Sequence, residues 1–336
     1  MGRTCKVSVI ILTYNSVSKL GKLFDKVLSS IFMQDYPNLE VIVVDNNSND
    51  GTFEYVKKKY SSKYNLKVLR LKKNYGWGGG NNRGALLAKY SDFLLFVNDD
   101  AILGPNCVSK LVKVLNEHPN LAAVQPLIIE GNGNIICGLD MGFSGFSSIV
   151  SHIRSYPLSE AFYVSGAVFL TRTDVFFRSG MFDEDLFVYH DDTDYCWRLR
   201  LIGYKVACIA DVYAYHFGSV TWGSGSPLQV YYIIRNNFLV IAKNSSLKWL
   251  IPRITLSLIV SIMFVFRFLY NKNKACLVAA IKGIIDGLRE LKIGIMKRAY
   301  IRKIRKISDE EVNKALNKRV DVNLLLPQSV RKILGL

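Results

Sequence analysis

No two of the six cysteines stand close enough in sequence to form a Cys-x-x-Cys pair. Cys5, Cys107, Cys137, Cys196, Cys208 and Cys276 are scattered along the chain and read as reduced, mostly buried thiols of a reducing compartment. A cleaved export signal is not expected: the apolar run 7–12 is too short for a signal core and leads straight into Thr13-Tyr14-Asn15. No apolar run reaches the roughly 20 residues that a bilayer-crossing helix needs. Internal repeats and low-complexity tracts are missing as well. So are a Walker-type loop and a G-x-G-x-x-G fingerprint after the first strand, which sets aside the common dinucleotide and P-loop chemistries.

What is present is a long, basic chain. Its 336 residues exceed one typical domain and imply a catalytic domain with an appendage. Net charge is +17, unevenly spread: residues 241–336 hold 20 Lys and Arg against 6 acids, and residues 1–240 hold 24 against 21. A polyanionic surface is therefore expected to meet the C-terminal segment alone. Short apolar runs rich in β-branched residues, at 7–12, 41–44, 66–71 and 93–97, read as buried parallel strands. Helical patterns at 18–32, 52–60 and 80–89 alternate with them. That alternation predicts an α/β fold, a doubly wound and mostly parallel sheet with flanking helices and a ligand crevice at the strand C-terminal ends. Further along, the sequence predicts a Gly-rich mobile loop over the site at 131–145, a strand at 163–170, a helix at 191–201 that opens with acids, and returning strands at 205–215.

Near residue 247 the character changes. Residues 254–266 carry no charge between Arg253 and Arg267, and 275–285 are interrupted only by Lys282. This pattern fits a basic amphipathic helix in a membrane interface, or a shallow hairpin, better than a crossing; a helical appendage that forms homo-oligomers is the other reading. Six basic residues within 297–306 suit anionic headgroups, at about 1 kcal/mol each. The expected division is 1–240, catalytic, and 241–336, a basic and partly amphipathic helical region. The expected location is cytoplasmic, peripherally bound to the membrane.

Two acidic clusters carry the chemistry. Asn98-Asp99-Asp100 follows the run 93–97, and Asp191-Asp192-Thr193-Asp194 lies farther on. Crowded carboxylates raise one another's pKa, so they persist where a cation, a proton transfer or a solvated turn offsets the repulsion. Thr13, Tyr14 and Asn15 end the first strand, where backbone and side chain can touch a bound base. Asp45 ends the second, where a carboxylate can accept from a nucleobase N–H or a ribose hydroxyl; Ser48 or Asp50 is the better cap for the next helix. The segment Asn74-Tyr75-Gly76-Trp77-Gly78-Gly79-Gly80-Asn81-Asn82-Arg83-Gly84 reads as a loop whose glycines let backbone approach a ligand, beside a helix start with free N–H groups. Asp194 pairs by spacing with Arg198.

Taken in order, these motifs resemble the family 2 glycosyltransferases, with their GT-A fold, over residues 7 to about 240. The match includes Thr-Tyr-Asn, Val-Asp-Asn-x-Ser-x-Asp-Gly-Thr, the glycine segment, the acidic pair, Ser165-Gly166-Ala167, Gly180-Met181-Phe182-Asp183-Glu184, the run from Asp191 to Arg198, Gly203-Tyr204 and His216. Its style looks most like the rhamnosyltransferase-like branch. The resemblance implies a nucleotide-sugar site formed by Thr13, Tyr14, Asn15, Asp45, Asn74, Gly76, Gly80, Asn81, Asn82, Asn98, Asp99 and Gly166. It implies that Asp45 recognises the base and that Asn98-Asp99-Asp100 stands for the Asp-x-Asp motif that holds ribose and a divalent metal, Mg or Mn. Asp100 and His216 fall on the metal side, and Asn98 keeps a ribose hydrogen bond while dropping one charge. Asp192 matches the catalytic base. Asp191 replaces the family's Glu on the acceptor side, where Trp222, in a Gly/Ser stretch, is a candidate sugar-facing aromatic.

The implied reaction moves one sugar from a UDP- or dTDP-sugar to a lipid-linked or polysaccharide acceptor with inversion. It needs a base near the acceptor hydroxyl and positive charge near the leaving diphosphate. There is no Gln-x-x-Arg-Trp motif, since Gln229 leads only to Arg235-Asn236-Asn237, so processive synthesis is disfavoured. A sugar-nucleotide nucleotidyltransferase would need a basic glycine loop directly after the first strand, which 13–20 lack. A non-catalytic membrane or nucleic-acid adaptor with a degenerate transferase domain would account for the basic tail, but intact Asp45, Asp100 and Asp192 argue against decay. No nucleic-acid partner is expected.

Overall fold

The run Val-Ser-Val-Ile-Ile-Leu-Thr forms strand β1 (Val7–Thr13), almost wholly buried, as β-branched residues covered on both sheet faces require. The computed structural model describes residues 4–62, 65–150, 153, 155–218 and 225–317. They fold as two units, one built from the chain up to 138 with 150–199 and 204–221, the other from 139–149, 200–203 and the chain from 222. The first continues through α1 (Ser16–Leu20), α2 (Lys22–Phe32), β2 (Leu39–Asp45), α3 (Thr52–Lys59), β3 (Leu66–Arg70), α4 (Gly76–Leu87), β4 (Phe93–Asn98), β5 (Ala101–Leu103), α5 (Cys107–Glu117) and β6 (Leu121–Glu130). After β7 (Ile135–Ile136) the chain enters the second unit for the hairpin β8 (Leu139–Met141) and β9 (Ser147–Ile149). It returns as β10 (Leu158–Ala161), β11 (Val168–Arg172), α6 (Thr173–Arg178), α7 (Asp191–Leu201) and β12 (Lys205–His216).

One sheet runs in the order β10-β12-β6-β11-β4-β1-β2-β3, with β5 added to β12 and β7 to β6. The four strands read from the apolar runs are all there and mutually parallel, in the order β4-β1-β2-β3. The other half is mixed rather than parallel: β11 is antiparallel to both β4 and β6, while β12 is parallel to β6. This inversion has a use. Because β11 starts where β4 ends, Asn98 N–H donates to Ala167 O at 2.9 Å. Thr13 pairs with Asp45 and Leu12 with Asn98, so the ends of β1, β2 and β4 and the start of β11 share one edge.

Several boundaries differ from the sequence reading. The helix expected at 18–32 breaks at Gly21, whose φ of 51 is a left-handed conformation that favours glycine. The strand expected at 163–170 begins only at Val168, and residues 205–215 form one long strand with an irregularity between Ile209 and Tyr213. Behind α7, Phe96, Phe176, Phe182 and Tyr195 pack ring against ring at 5.0–5.5 Å, and Tyr195 OH shares a 2.7 Å hydrogen bond with Thr171 Oγ1. That aromatic core anchors α7 from its buried side.

The second unit holds the hairpin β8–β9 and helices α8 (Pro227–Asn244), α9 (Leu247–Tyr270), α10 (Lys274–Ile304) and α11 (Asp309–Lys314). The stretch 131–145, expected as a mobile loop over the site, ends instead in this hairpin, and side chains of α8, α9 and the residue Asn317 beyond α11 hold it. Asn237 Nδ2 donates to Ser144 O at 2.9 Å, Arg253 Nη1 to Phe143 O at 3.0 Å, and Asn317 Nδ2 to Asp140 Oδ2 at 2.7 Å. The uncharged stretch 254–266 belongs to a longer helix than the sequence suggested. At 24 residues α9 is long and apolar enough to cross a bilayer by length and composition. Residue 240, the expected boundary, lies inside α8, and the appendage beyond residue 317 lies outside the described residues.

Candidate active site

The strand ends build one wall of the site, all of it in the first unit. Thr13 and Asp45 are fully buried; Thr13 Oγ1 donates to Val44 O at 3.3 Å and faces Asp45 Oδ1 at 3.5 Å. Ser48 N–H donates to Asp45 Oδ2 at 3.2 Å, and Arg70 Nε lies 3.7 Å from the same oxygen, so this carboxylate is held by three elements. Asn15 takes φ 56 and ties the two strand ends together: its N–H donates to Ser48 Oγ and its Oδ1 accepts from Asn49 N–H, both at 2.9 Å. Of the two candidate caps, Asp50 takes the task. It accepts from Thr52 N–H at 3.0 Å and from Ser18 N–H at 2.8 Å, serving α3 and α1 together. Lys19 Nζ lies over the Tyr14 ring at 4.7 Å.

The glycine segment is helix, not loop. Gly80 and Gly84 sit inside α4, where an added Cβ would lie 2.3 Å from Leu12 Cδ1 and 2.6 Å from Ile10 Cγ2. Their missing side chains let the helix close onto β1, a packing task for Gly80. Asn81 and Asn82 are also turned inward. Asn81 Nδ2 donates to Trp77 O at 3.0 Å. Asn82 is spent at both ends of its amide on the backbone of Phe182, donating to its O at 2.9 Å and accepting from its N–H at 3.0 Å. Asn74 shapes the entry to α4, its Oδ1 accepting from Gly76 N–H at 2.8 Å and from Asn46 Nδ2 at 2.9 Å. Gly76 takes φ 73, and a Cβ there would strike Phe187 O at 2.1 Å. For these five residues the structure supplies a structural task where the motif implied ligand contact.

The acidic cluster after β4 lies at the same edge. Asn98 Oδ1 accepts from Trp77 Nε1 at 2.8 Å. Ser16 Oγ donates to Asp99 Oδ2, and burial, then the neighbouring Asp100 charge, push the Asp99 carboxyl up to about 7. Asp100 is buried, its Oδ1 standing 3.3 Å from His216 Nε2, and no other group donates to that oxygen. Burial pulls the His216 pKa down, but the Asp100 carboxylate in contact, with Glu130 and Asp99 behind it, reverses the balance and leaves it raised. Phe217 N–H donates to Asp100 O at 3.1 Å, which fixes the end of β12 on this cluster.

Asp192, at the start of α7, completes the arrangement. Gly166 N–H donates to its Oδ2 at 2.9 Å and Thr193 N–H to its Oδ1 at 2.8 Å. Burial raises the Asp192 pKa, opposed by those two donors. Asp191 is different. It is 3 % exposed, a Cβ on Gly78 would meet its Oδ1 at 2.4 Å, that oxygen accepts no hydrogen bond, and burial with three nearby carboxylates holds its pKa well above the ordinary range. The carboxyl expected on the acceptor side is thus enclosed against α4. Asp194 and Arg198 form the expected pair, at 2.9 Å and fully enclosed. Trp222 lies outside the described residues.

Trp77 is a residue that the sequence analysis did not single out. Its Nε1 holds Asn98, its ring edge lies where a Cβ on Gly166 would be 3.4 Å away, and its N–H donates to Phe187 O at 2.6 Å. One residue thus touches the β4 end and the Gly166 turn with its side chain and the approach to α7 with its backbone. That approach is strained, with φ of 65, 65 and 67 at Phe187, Tyr189 and His190, each costing of order 1–3 kcal/mol.

A profile described as Glycosyl transferase family 2 matches residues 8–178. The low-salt glycan biosynthesis hexosyltransferase Agl10 of Haloferax volcanii is 25 % identical over 309 residues, covering 85 % of this chain and 94 % of that protein. The N-acetylglucosaminyl-diphospho-decaprenol L-rhamnosyltransferase of Mycobacterium tuberculosis is 22 % identical over 272 residues, 73 % of this chain and 86 % of its own. Among solved structures, the mannosyltransferase PcManGT of Pyrobaculum calidifontis in complex with GDP-Man and Mn2+ superposes with a TM-score of 0.53 at 18 % identity, over 90 % of this chain and 86 % of that one. The shared fold is GT-A, as the motifs implied. With more than half of its length matched by the profile, the chain belongs to glycosyl transferase family 2 and is a glycosyltransferase.

Proposed function

We propose that this chain transfers one sugar from a UDP- or dTDP-sugar to a hydroxyl of a lipid-linked or glycan acceptor, with inversion at the anomeric carbon and Asp192 as the base. The observation that carries this reading is the gathering of Asp45, the Asn98–Asp100 cluster and Gly166 on one sheet edge, with Asp192 hydrogen-bonded to Gly166. In it, Asp45 receives the nucleobase or ribose, Asn98 and Asp99 the ribose, and Asp192 takes the proton of the attacking hydroxyl. A carboxylate whose pKa is raised by burial is a better base near neutral pH than an exposed one.

A hard divalent ion suits Asp100 Oδ1 and His216 Nε2, one a buried oxygen with no donor besides that histidine. No third His, Cys, Asp or Glu joins them among the described residues. That is compatible with Mg or Mn, which often take one or two protein groups and complete their shell with phosphate oxygens and water. Such an ion, when bound, supplies positive charge against the departing diphosphate. The relatives' names support the acceptor class: one is a glycan-biosynthesis hexosyltransferase and the other acts on a decaprenol-linked sugar. The charge of 241–336 supports peripheral binding at the cytoplasmic face of a membrane.

The test is nucleoside-diphosphate release across a panel of nucleotide-sugars. Asp192→Asn is expected to lower turnover by about 10²–10⁴-fold while nucleotide affinity persists. Chelation is expected to stop the reaction, and added Mn or Mg to restore it. Retained turnover in the variant removes Asp192 from the mechanism, and full activity in EDTA removes the metal.

A further inference from the structure

We propose that the outer faces of α9 and α10 form a lipid-docking surface that seats in the headgroup–acyl boundary of an anionic bilayer, an inference that deepens the membrane-bound reading above by naming the surface and its partner. On α9, polar residues are buried beside the apolar ones that pack in the core, and large apolar residues also lie outside. Arg253, Ser257 and Ser261, spaced by four, are fully buried, and their bonds stay within the second unit: Arg253 to Phe143 O, Ser257 Oγ from Asn237, Ser261 Oγ to Ser257 O. About half a turn away on the helical period, Ile251 is 67 %, Phe266 64 % and Leu269 57 % exposed. A helix whose outer face meets water carries polar residues there instead.

α10 also carries an apolar outer face. Its inner face is apolar, and its closest approach to α8 runs over glycines: a Cβ on Gly283, Gly287 or Gly294 would meet Tyr231 O, Phe238 Cδ2 or Ala242 Cβ of α8 at 2.9, 2.5 and 2.6 Å. Its outer face offers Ile281, Ile285, Leu288, Ile295 and Met296, all exposed. Small residues at the helix contact and large apolar residues outside are how helices pack when their surroundings are as apolar as leucine.

Charge selects lipid over a second copy. Lys292 interrupts the outer face of α10, and of the six basic residues in 297–306 only Arg298, buried against Ala242 O, and Arg305, paired with Asp309, are turned inward, so two copies face to face would repel while anionic headgroups would be attracted. The middle of α10 also limits the depth. Asp286 pairs with Arg289 at 2.9 Å, and Glu290 pairs with Arg235 of α8 at 2.7 Å. Charges along the bundle are costly in hydrocarbon, which favours shallow seating, roughly 5–10 Å deep, over a crossing.

The experiment sediments the full chain with vesicles of phosphatidylcholine, with or without phosphatidylglycerol. Wild type is expected to pellet with the anionic vesicles, less so at high salt, and the double change Phe266→Glu with Ile285→Glu to weaken this by at least about tenfold. Phe266→Trp, a change that leaves the face apolar, is expected to add fluorescence that lipids brominated near the headgroup end of the acyl chain quench. Absent pelleting, wild-type pelleting by the double variant, an unquenched tryptophan, or a wild-type dimer that the double variant dissociates would each overturn the proposal. Nucleoside-diphosphate release is followed in parallel, so that a protein that binds vesicles without any transfer counts against the enzyme reading and not against this surface.

Discussion

Asp191 and Asp192 are neighbours in sequence with different surroundings. Asp192 meets backbone donors at a turn, whereas Asp191 is enclosed beside Gly78 and other carboxylates, and burial holds its pKa well above the ordinary range. Its folded-state pKa is raised above the ordinary 3.8. The stability linked to that proton is therefore complete below about pH 4 and is lost as pH rises through the folded value. Asp191→Asn has no proton to lose. Its melting temperature is expected to be close to wild type in acid and to gain on it steadily towards alkaline pH; a difference that does not change with pH would show Asp191 already ionised. The place of Asp100 at the strand-end edge was legible in sequence, because it directly follows the apolar run 93–97. The inward turn of Asp191 was not, since it depends on a glycine more than a hundred residues upstream. Nor was the work of Trp77, which exists only once β4 and β11 lie side by side.

At the level of elements, α4 was expected from Gly80 and starts one turn earlier, at Gly76. Five glycines in nine residues look like a loop, because each costs a helix interior about 1 kcal/mol relative to alanine. Tertiary packing overrides the propensity: α4 lies so close to β1 and β2 that Gly84 would drive a methyl to 2.6 Å from Ile10 and 2.9 Å from Val44. Gly84→Ala, which should improve an isolated helix, is expected instead to destabilise the protein by about 1–3 kcal/mol in urea unfolding. An unchanged midpoint would mean that the helix stands farther from the sheet. The parallel strands were easy to read because continuous β-branched runs have few other uses, whereas the antiparallel insertion of β11 leaves no mark on its own sequence.

For the molecule as a whole, the uneven charge was visible in composition, but the interleaving of the two units was not. Phe143, Ser144 and Phe146 belong by position to the catalytic sequence and by contact to the C-terminal helices, Phe146 packing in a cluster with Phe238, Val260 and Ala280. Truncation after Ser246 removes Arg253 and Ser257 together with half of that cluster. It is expected to give an aggregated product on size-exclusion chromatography, not a trimmed soluble enzyme. A monodisperse, fully active truncation would show the hairpin to be dispensable.

The borrowed hairpin also sets a timetable for synthesis. Phe146 leaves the ribosome roughly 120 residues before Phe268, the last aromatic packed against its cluster, and at about 5–20 residues per second that leaves greasy rings uncovered for on the order of ten seconds. A nascent chain in that interval is a natural client for a chaperone that holds hydrophobic segments until their cover is made.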